Sequence, residues 1–65
     1  MSIPTRGEQF AILIEHLVKA QEASAMLAHL TRDDDALQAQ GWLAVSEMLK
    51  KTQHNVTDLA RRRLQ

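Results

Sequence analysis

The chain has 65 residues, a formal net charge of zero at pH 7 and no cysteine. This length allows one domain, and the lack of cysteine excludes a disulfide framework, a thiol nucleophile and a cysteine-ligated zinc or iron–sulfur site. The longest apolar run, residues 10–14, is far shorter than the roughly 18 residues of a membrane span. No signal peptide is evident, so we expect a cytoplasmic protein that does not enter a membrane.

Two long helices are predicted, because Pro4, Gly7 and Gly41 are the only residues of the chain that strongly disfavour a helix. The first helix is expected at about residues 6–31 and the second at about residues 36–63, with a polar hinge at about residues 32–35. Thr5 with Glu8 and Asp35 with Gln38 have the spacing of a capping box at the start of each helix. The aspartates of the hinge are interpreted as helix-capping residues, with no metal site.

Each predicted helix has a wide apolar stripe when residues are placed at 100° intervals. The stripe of the first helix contains Phe10, Leu13, Ile14, Leu17, Ala20, Ser24, Leu27, Ala28 and Thr31. The stripe of the second contains Gly41, Trp42, Val45, Met48, Leu49, Thr52, Val56, Leu59 and Ala60. Ala20, Ser24 and Ala28 recur every four residues and are expected to let the helices approach closely near the hinge.

These stripes predict an all-α fold, a two-helix antiparallel hairpin that dimerises into a four-helix bundle. A lone hairpin would leave much of both stripes in water, and burial of one large apolar side chain contributes roughly 1.5–3 kcal/mol. A homodimer is therefore expected. Its predicted core consists of Phe10, Leu13, Leu17, Leu27, Val45, Leu49 and Val56.

No arrangement of residues indicates catalysis, a cofactor or a bound metal. His16, His29 and His54 lack the spacing of a metal site, and neither Ser24 nor Ser46 has an evident base beside it. Ser24 is interpreted as a packing residue, and no partner is evident for Ser46. The sequence therefore predicts that the protein is not an enzyme.

A protein-binding surface is the favoured functional prediction. Trp42 is the only tryptophan, and tryptophan is frequent among the residues that dominate protein interfaces, although it can equally fill the edge of the bundle core. Leu43 lies near Ala36 and Ala39, outside the main stripe. A second apolar strip of the first helix adds further candidates. The predicted protein-binding residues are Trp42, Leu43, Ile12, Met26 and Leu30.

Nucleic-acid binding is the alternative, because the second helix is basic towards its end. Residues 48–65 contain five basic residues and one acidic residue, whereas residues 1–47 contain three and seven. Acidic residues on the same face and the absence of interleaved aromatic residues argue against this alternative. The candidate nucleic-acid contacts are Lys50, Lys51, Arg61, Arg62 and Arg63. A structural subunit of a larger helical assembly is a further alternative.

Two capped helices joined by an aspartate-rich hinge resemble the Rop family of plasmid proteins. That resemblance implies a homodimeric four-helix bundle that binds paired RNA loops, although the hinge here is longer than a tight turn. The Trp42-Leu43 pair after an acidic turn is also similar to small phage-encoded hairpins, which dimerise and block a host regulator such as a quorum-sensing receptor. This second resemblance implies an inhibitor, an anti-activator or an adaptor.

Overall fold

The computed structural model describes residues 3–64, with side chains described up to Arg62. Helix α1 spans Arg6–Thr31 and helix α2 spans Ala36–Leu64, and the two helices pack against each other as a hairpin. The predicted all-helical hairpin is therefore confirmed. Neither described helix is long and apolar enough to cross a membrane.

Side chains cap the start of both helices, as the sequence predicts. The Glu8 amide donates to Thr5 Oγ1 at 3.0 Å, and the Gln38 amide donates to Asp35 Oδ1 at 3.1 Å. These bonds satisfy amides that have no partner within the first turn of a helix. Gln38 does not complete its capping box, because its Oε1 accepts a hydrogen bond from Trp42 Nε1 at 3.4 Å.

The two helices meet along a seam that follows a strict heptad pattern. In each helix, alternate steps of three and four residues connect the seam positions, as expected for a two-stranded coiled coil, and Val18 and Ala25 of α1 are half-buried beside the seam at position e. The seam contains Phe10, Ile14, Leu17, Gln21, Ser24, Ala28 and Thr31 of α1, and Ala39, Trp42, Ser46, Leu49, Gln53, Val56 and Ala60 of α2.

Three hydrogen bonds cross the seam and fix its antiparallel register. Ser24 Oγ donates to the Trp42 carbonyl at 2.7 Å, Gln21 Nε2 donates to Ser46 Oγ at 3.4 Å, and Gln53 Nε2 donates to the Leu17 carbonyl at 3.5 Å. Residues of α1 that lie further from the hinge are therefore bonded to residues of α2 that also lie further from the hinge. Ser46 thus has a partner that the sequence did not reveal.

The hinge end of the seam is built from small residues. Among the described residues, only Ser24, Ala28, Ala39 and Ser46 are buried, whereas the larger seam residues towards the open end are half-buried. Small side chains allow the two backbones to come close, and the hinge end is accordingly the most completely buried part of the seam. Ser24 and Ala28 have the packing role that was predicted for them.

The seam is narrower than the stripes predicted from the sequence. Ala20 and Gly41 are exposed, and Leu13, Leu27 and Val45 are 46%, 39% and 38% exposed. The physical reason is the period of the packing, since two paired helices bury only positions a and d of each heptad. These five residues flank the seam instead of filling it.

Candidate functional site

The hairpin is a single layer of helices, and this shape leaves apolar side chains at its surface. The molecule measures 47 × 28 × 10 Å. No large side chain among the described residues is fully buried, and eleven large hydrophobic residues are exposed. A layer this thin has two broad faces, and neither is covered by another part of the described chain.

One broad face is apolar. In an antiparallel pair, heptad positions c and g of both helices lie on the same side of the seam. Between residues 13 and 59 these positions contain no aspartate, glutamate, lysine or arginine. We call this side the apolar face. Its exposed large residues are Leu13, Leu27, Leu30, Val45, Met48 and Leu59.

The opposite broad face, formed by positions b and e, carries charge. Glu15, Glu22, Glu47 and Lys50 lie at these positions. Glu15 pairs with Lys19 at 3.2 Å, and Glu47 pairs with Lys50 at 3.6 Å. Exposed ion pairs of this kind add at most about 1 kcal/mol each, but they keep this side of the hairpin hydrated. We call it the charged face.

The charged face contains one apolar recess, next to the hinge. This hinge groove has a volume of about 450 Å³. Its apolar lining consists of Ala25, Ala28, Ala36, Ala39 and Leu43, and its polar lining consists of His29, Arg32 and Gln40. The short alanine side chains leave a recess beside the seam, and Leu43, which is 53% exposed, forms one wall. The combination of an apolar floor and a polar rim is common in binding sites.

The structure does not bring the five predicted protein-binding residues together. Trp42 is half-buried in the seam, and its backbone and indole nitrogen are both engaged in hydrogen bonds. Leu43 borders the hinge groove on the charged face, whereas Leu30 belongs to the apolar face. Ile12 and Met26 occupy position f, on the side of α1 that points away from α2.

The predicted dimer core is also divided. Phe10, Leu17, Leu49 and Val56 lie half-buried in the seam of the single hairpin. Leu13, Leu27 and Val45 are exposed on the apolar face. Hydrophobicity alone could not separate these two groups, because both belong to the same 100° stripe.

The basic residues of α2 do not form one patch. Lys50 is paired with Glu47 and lies on the charged face, and Lys51 points outwards from position f. Arg61 and Arg62 are exposed at positions b and c, almost three helical turns beyond Lys51. The side chain of Arg63 lies outside the described residues. Basic groups spread around a helix in this way are a poor match to one phosphate backbone.

The histidines and acidic residues do not assemble a metal site. Within residues 3–64, no three His, Asp or Glu side chains are grouped closely enough to hold an ion. Of the three hinge aspartates, Asp35 has the capping role described above. Comparisons with protein-family models, with curated protein sequences and with solved structures find no significant match.

Proposed function

We propose that this chain is a small, non-enzymatic protein-interaction module, which forms a homodimeric four-helix bundle and modulates another protein by binding to it. The observation that carries the proposal is the placement of large apolar side chains on the outside of a single-layer hairpin. Contiguous apolar surface of this kind marks sites of protein interaction, because association removes the surface from water.

The hinge groove is the proposed contact for the other protein. It lies on the charged face, so it stays open when the apolar face is covered. A partner side chain inserted between Ala25, Ala39 and Leu43 would be desolvated at the centre of a polar rim. Protein interfaces have this organisation, with an apolar centre and hydrogen-bonding groups around it.

Trp42 does not line the hinge groove and is not itself the proposed anchor. Its half-buried position in the seam predicts that Trp42→Ala lowers the stability of the hairpin before it affects a partner. Ile12 and Met26 lie on the outer side of α1 and extend the available apolar surface without bordering the groove.

Capture of partners from the native host by the tagged protein tests this proposal. Leu43→Asp places a charge in the wall of the groove, and we expect it to weaken partner binding by about 2 kcal/mol or more. Leu37→Asp is the matched control, because Leu37 is 81% exposed on the same helix but does not border the groove. Proteins that the Leu37→Asp variant captures and the Leu43→Asp variant does not would support the proposal.

Nuclease treatment and a salt titration distinguish the nucleic-acid alternative. Phosphate contacts make affinity fall steeply with salt concentration, whereas apolar docking responds little. Removal of every captured protein by nuclease, together with loss of binding only in variants of Lys51, Arg61 and Arg62, would contradict the proposed function.

A further inference from the structure

The two broad faces of the hairpin differ sharply in charge. Between residues 13 and 59, every lysine, arginine and glutamate of the two helices lies at position b, e or f, and none lies at c or g. Both helices follow this division independently. Covering the apolar face therefore requires no charged group to leave water, which removes the largest cost of forming an interface there.

Charge is also divided along the length of the hairpin. The hinge half, residues 22–47, contains five acidic residues and one basic residue, so its net charge is −4. The open half, residues 3–21 and 48–64, contains three acidic and seven basic residues, so its net charge is +4. The hairpin is thus neutral overall but strongly polar along its 47 Å axis.

We propose that the occupant of the apolar face is a second copy of this chain, packed antiparallel, with the hinge of each copy beside the open end of the other. This inference rests on the homodimer of the proposed function and specifies its interface and its orientation. Two layers joined through the apolar face enclose Leu27, Val45 and Met48 in a common core.

The charge distribution selects this occupant and this orientation. A two-fold dimer is self-complementary, so each end of one copy faces an end of an identical copy. In the antiparallel arrangement, the −4 hinge half of each copy lies beside a +4 open half. In the parallel arrangement, like halves lie side by side and repel each other. The equal lengths of two copies also let the apolar faces overlap between residues 13 and 59, the range in which positions c and g contain no charged residue.

Two aspartate substitutions on opposite broad faces test the interface. Met48→Asp alters the apolar face, and Leu43→Asp alters the charged face. Both residues are more than half exposed in the single hairpin, at 67% and 53%. Because each dimer contains two altered sites, we expect Met48→Asp to weaken self-association at least about 100-fold in analytical ultracentrifugation. Leu43→Asp is expected to change it less than about threefold.

A distance measurement tests the orientation without disturbing the interface. The chain has no cysteine, so Leu37→Cys provides a unique attachment site for a nitroxide, at the hinge end and on the outer side of α2. In the antiparallel dimer, the two spin labels lie at opposite ends of the dimer. We expect double electron–electron resonance spectroscopy to give a distance of roughly 40 Å between them, since α2 has 29 residues at about 1.5 Å each. The parallel dimer would give less than roughly 25 Å.

Three results would overturn the inference. The first is a protein that stays monomeric at about 100 μM, roughly a hundredfold above a micromolar Kd. The second is an equal loss of association in both aspartate variants, and the third is the short spin-label distance of the parallel dimer. None of them decides whether another protein binds the hinge groove. If the protein is monomeric but its capture of a partner depends on Leu43, the protein-binding function is retained and only the dimer is rejected. Intact dimerisation in the Leu43→Asp protein with unchanged partner capture would retain the dimer and reject only the hinge groove as the contact for the other protein.

Discussion

The hydrogen bond between Ser24 and α2 makes the packing at the hinge end directly testable. Ser24 is only 5% exposed, and its Oγ lies 2.7 Å from the Trp42 carbonyl. A side chain this short can reach the other backbone only where the helices are close together. Ser24→Ala removes the bond, at a cost of about 1 kcal/mol, but alanine returns up to about 0.7 kcal/mol of helix propensity. We therefore expect a small net loss of stability, about 0.5 kcal/mol.

Ser24→Leu is the informative perturbation. Leucine removes the same bond and brings a larger side chain into a buried site, and overpacking of this kind costs about 1–3 kcal/mol. The expected loss of stability is therefore about 2–4 kcal/mol. Ala44→Leu is the control, because Ala44 is exposed at position f of α2, where a longer side chain extends into solvent. It is expected to change the free energy of unfolding by less than about 0.5 kcal/mol.

Urea denaturation at one fixed protein concentration measures these differences, since the stability of an associating protein depends on concentration. Circular dichroism reports the helices, and the fluorescence of Trp42, the only tryptophan, reports the environment of the bond itself. A Ser24→Leu protein that is as stable as Ala44→Leu would refute the close approach of the helices at the hinge end.

Three further substitutions test other parts of the hairpin. Asp35→Ala removes the side chain that caps α2 and should lower the free energy of unfolding by about 1 kcal/mol, whereas Asp33→Ala should lower it less. Thermal melts of the two variants measure this difference. Equal losses of stability would contradict the capping role of Asp35. Gly41→Ala should raise stability by about 0.5–1 kcal/mol in the same melts, because Gly41 lies inside α2 with no atom within 4 Å of an added Cβ and no positive φ. Gly41 lies at position c of the apolar face, so a loss of stability would instead indicate that the proposed second copy packs tightly on Gly41.

The features predicted best from the sequence are those that depend on neighbouring residues. Thr5 and Asp35 accept the predicted hydrogen bonds because a helix cap needs only a short polar side chain before the first turn. The hairpin follows from two helical stretches and a short polar turn between them. These features involve residues at most a few positions apart, so they can be read from the local sequence.

The position of the seam within the stripes could not be predicted in the same way. Gln21 and Gln53 are polar, yet each lies half-buried in the seam and donates to the other helix. Leu13 and Val45 are apolar, yet both lie outside it. A long amide can satisfy its own hydrogen bonds inside a narrow seam, so polarity does not exclude it. The sequence indicated only the α2 side of the hinge groove, as the apolar group Ala36, Ala39 and Leu43, because it could not show that Ala25 and Ala28 of α1 lie opposite them.

The placement of small residues at the hinge end has a consequence for how the hairpin forms. Ser24 and Trp42 are 18 residues apart in the chain, whereas Leu17 and Gln53, joined nearer the open end, are 36 apart. The shorter loop closes at a smaller entropic cost, and Ala28 and Ala39 have no side-chain rotamers to fix. Pairing that begins at the hinge can then advance towards the open end one heptad at a time. We therefore expect the order of assembly to run from the turn outwards, with the open end the first part to separate when the hairpin opens.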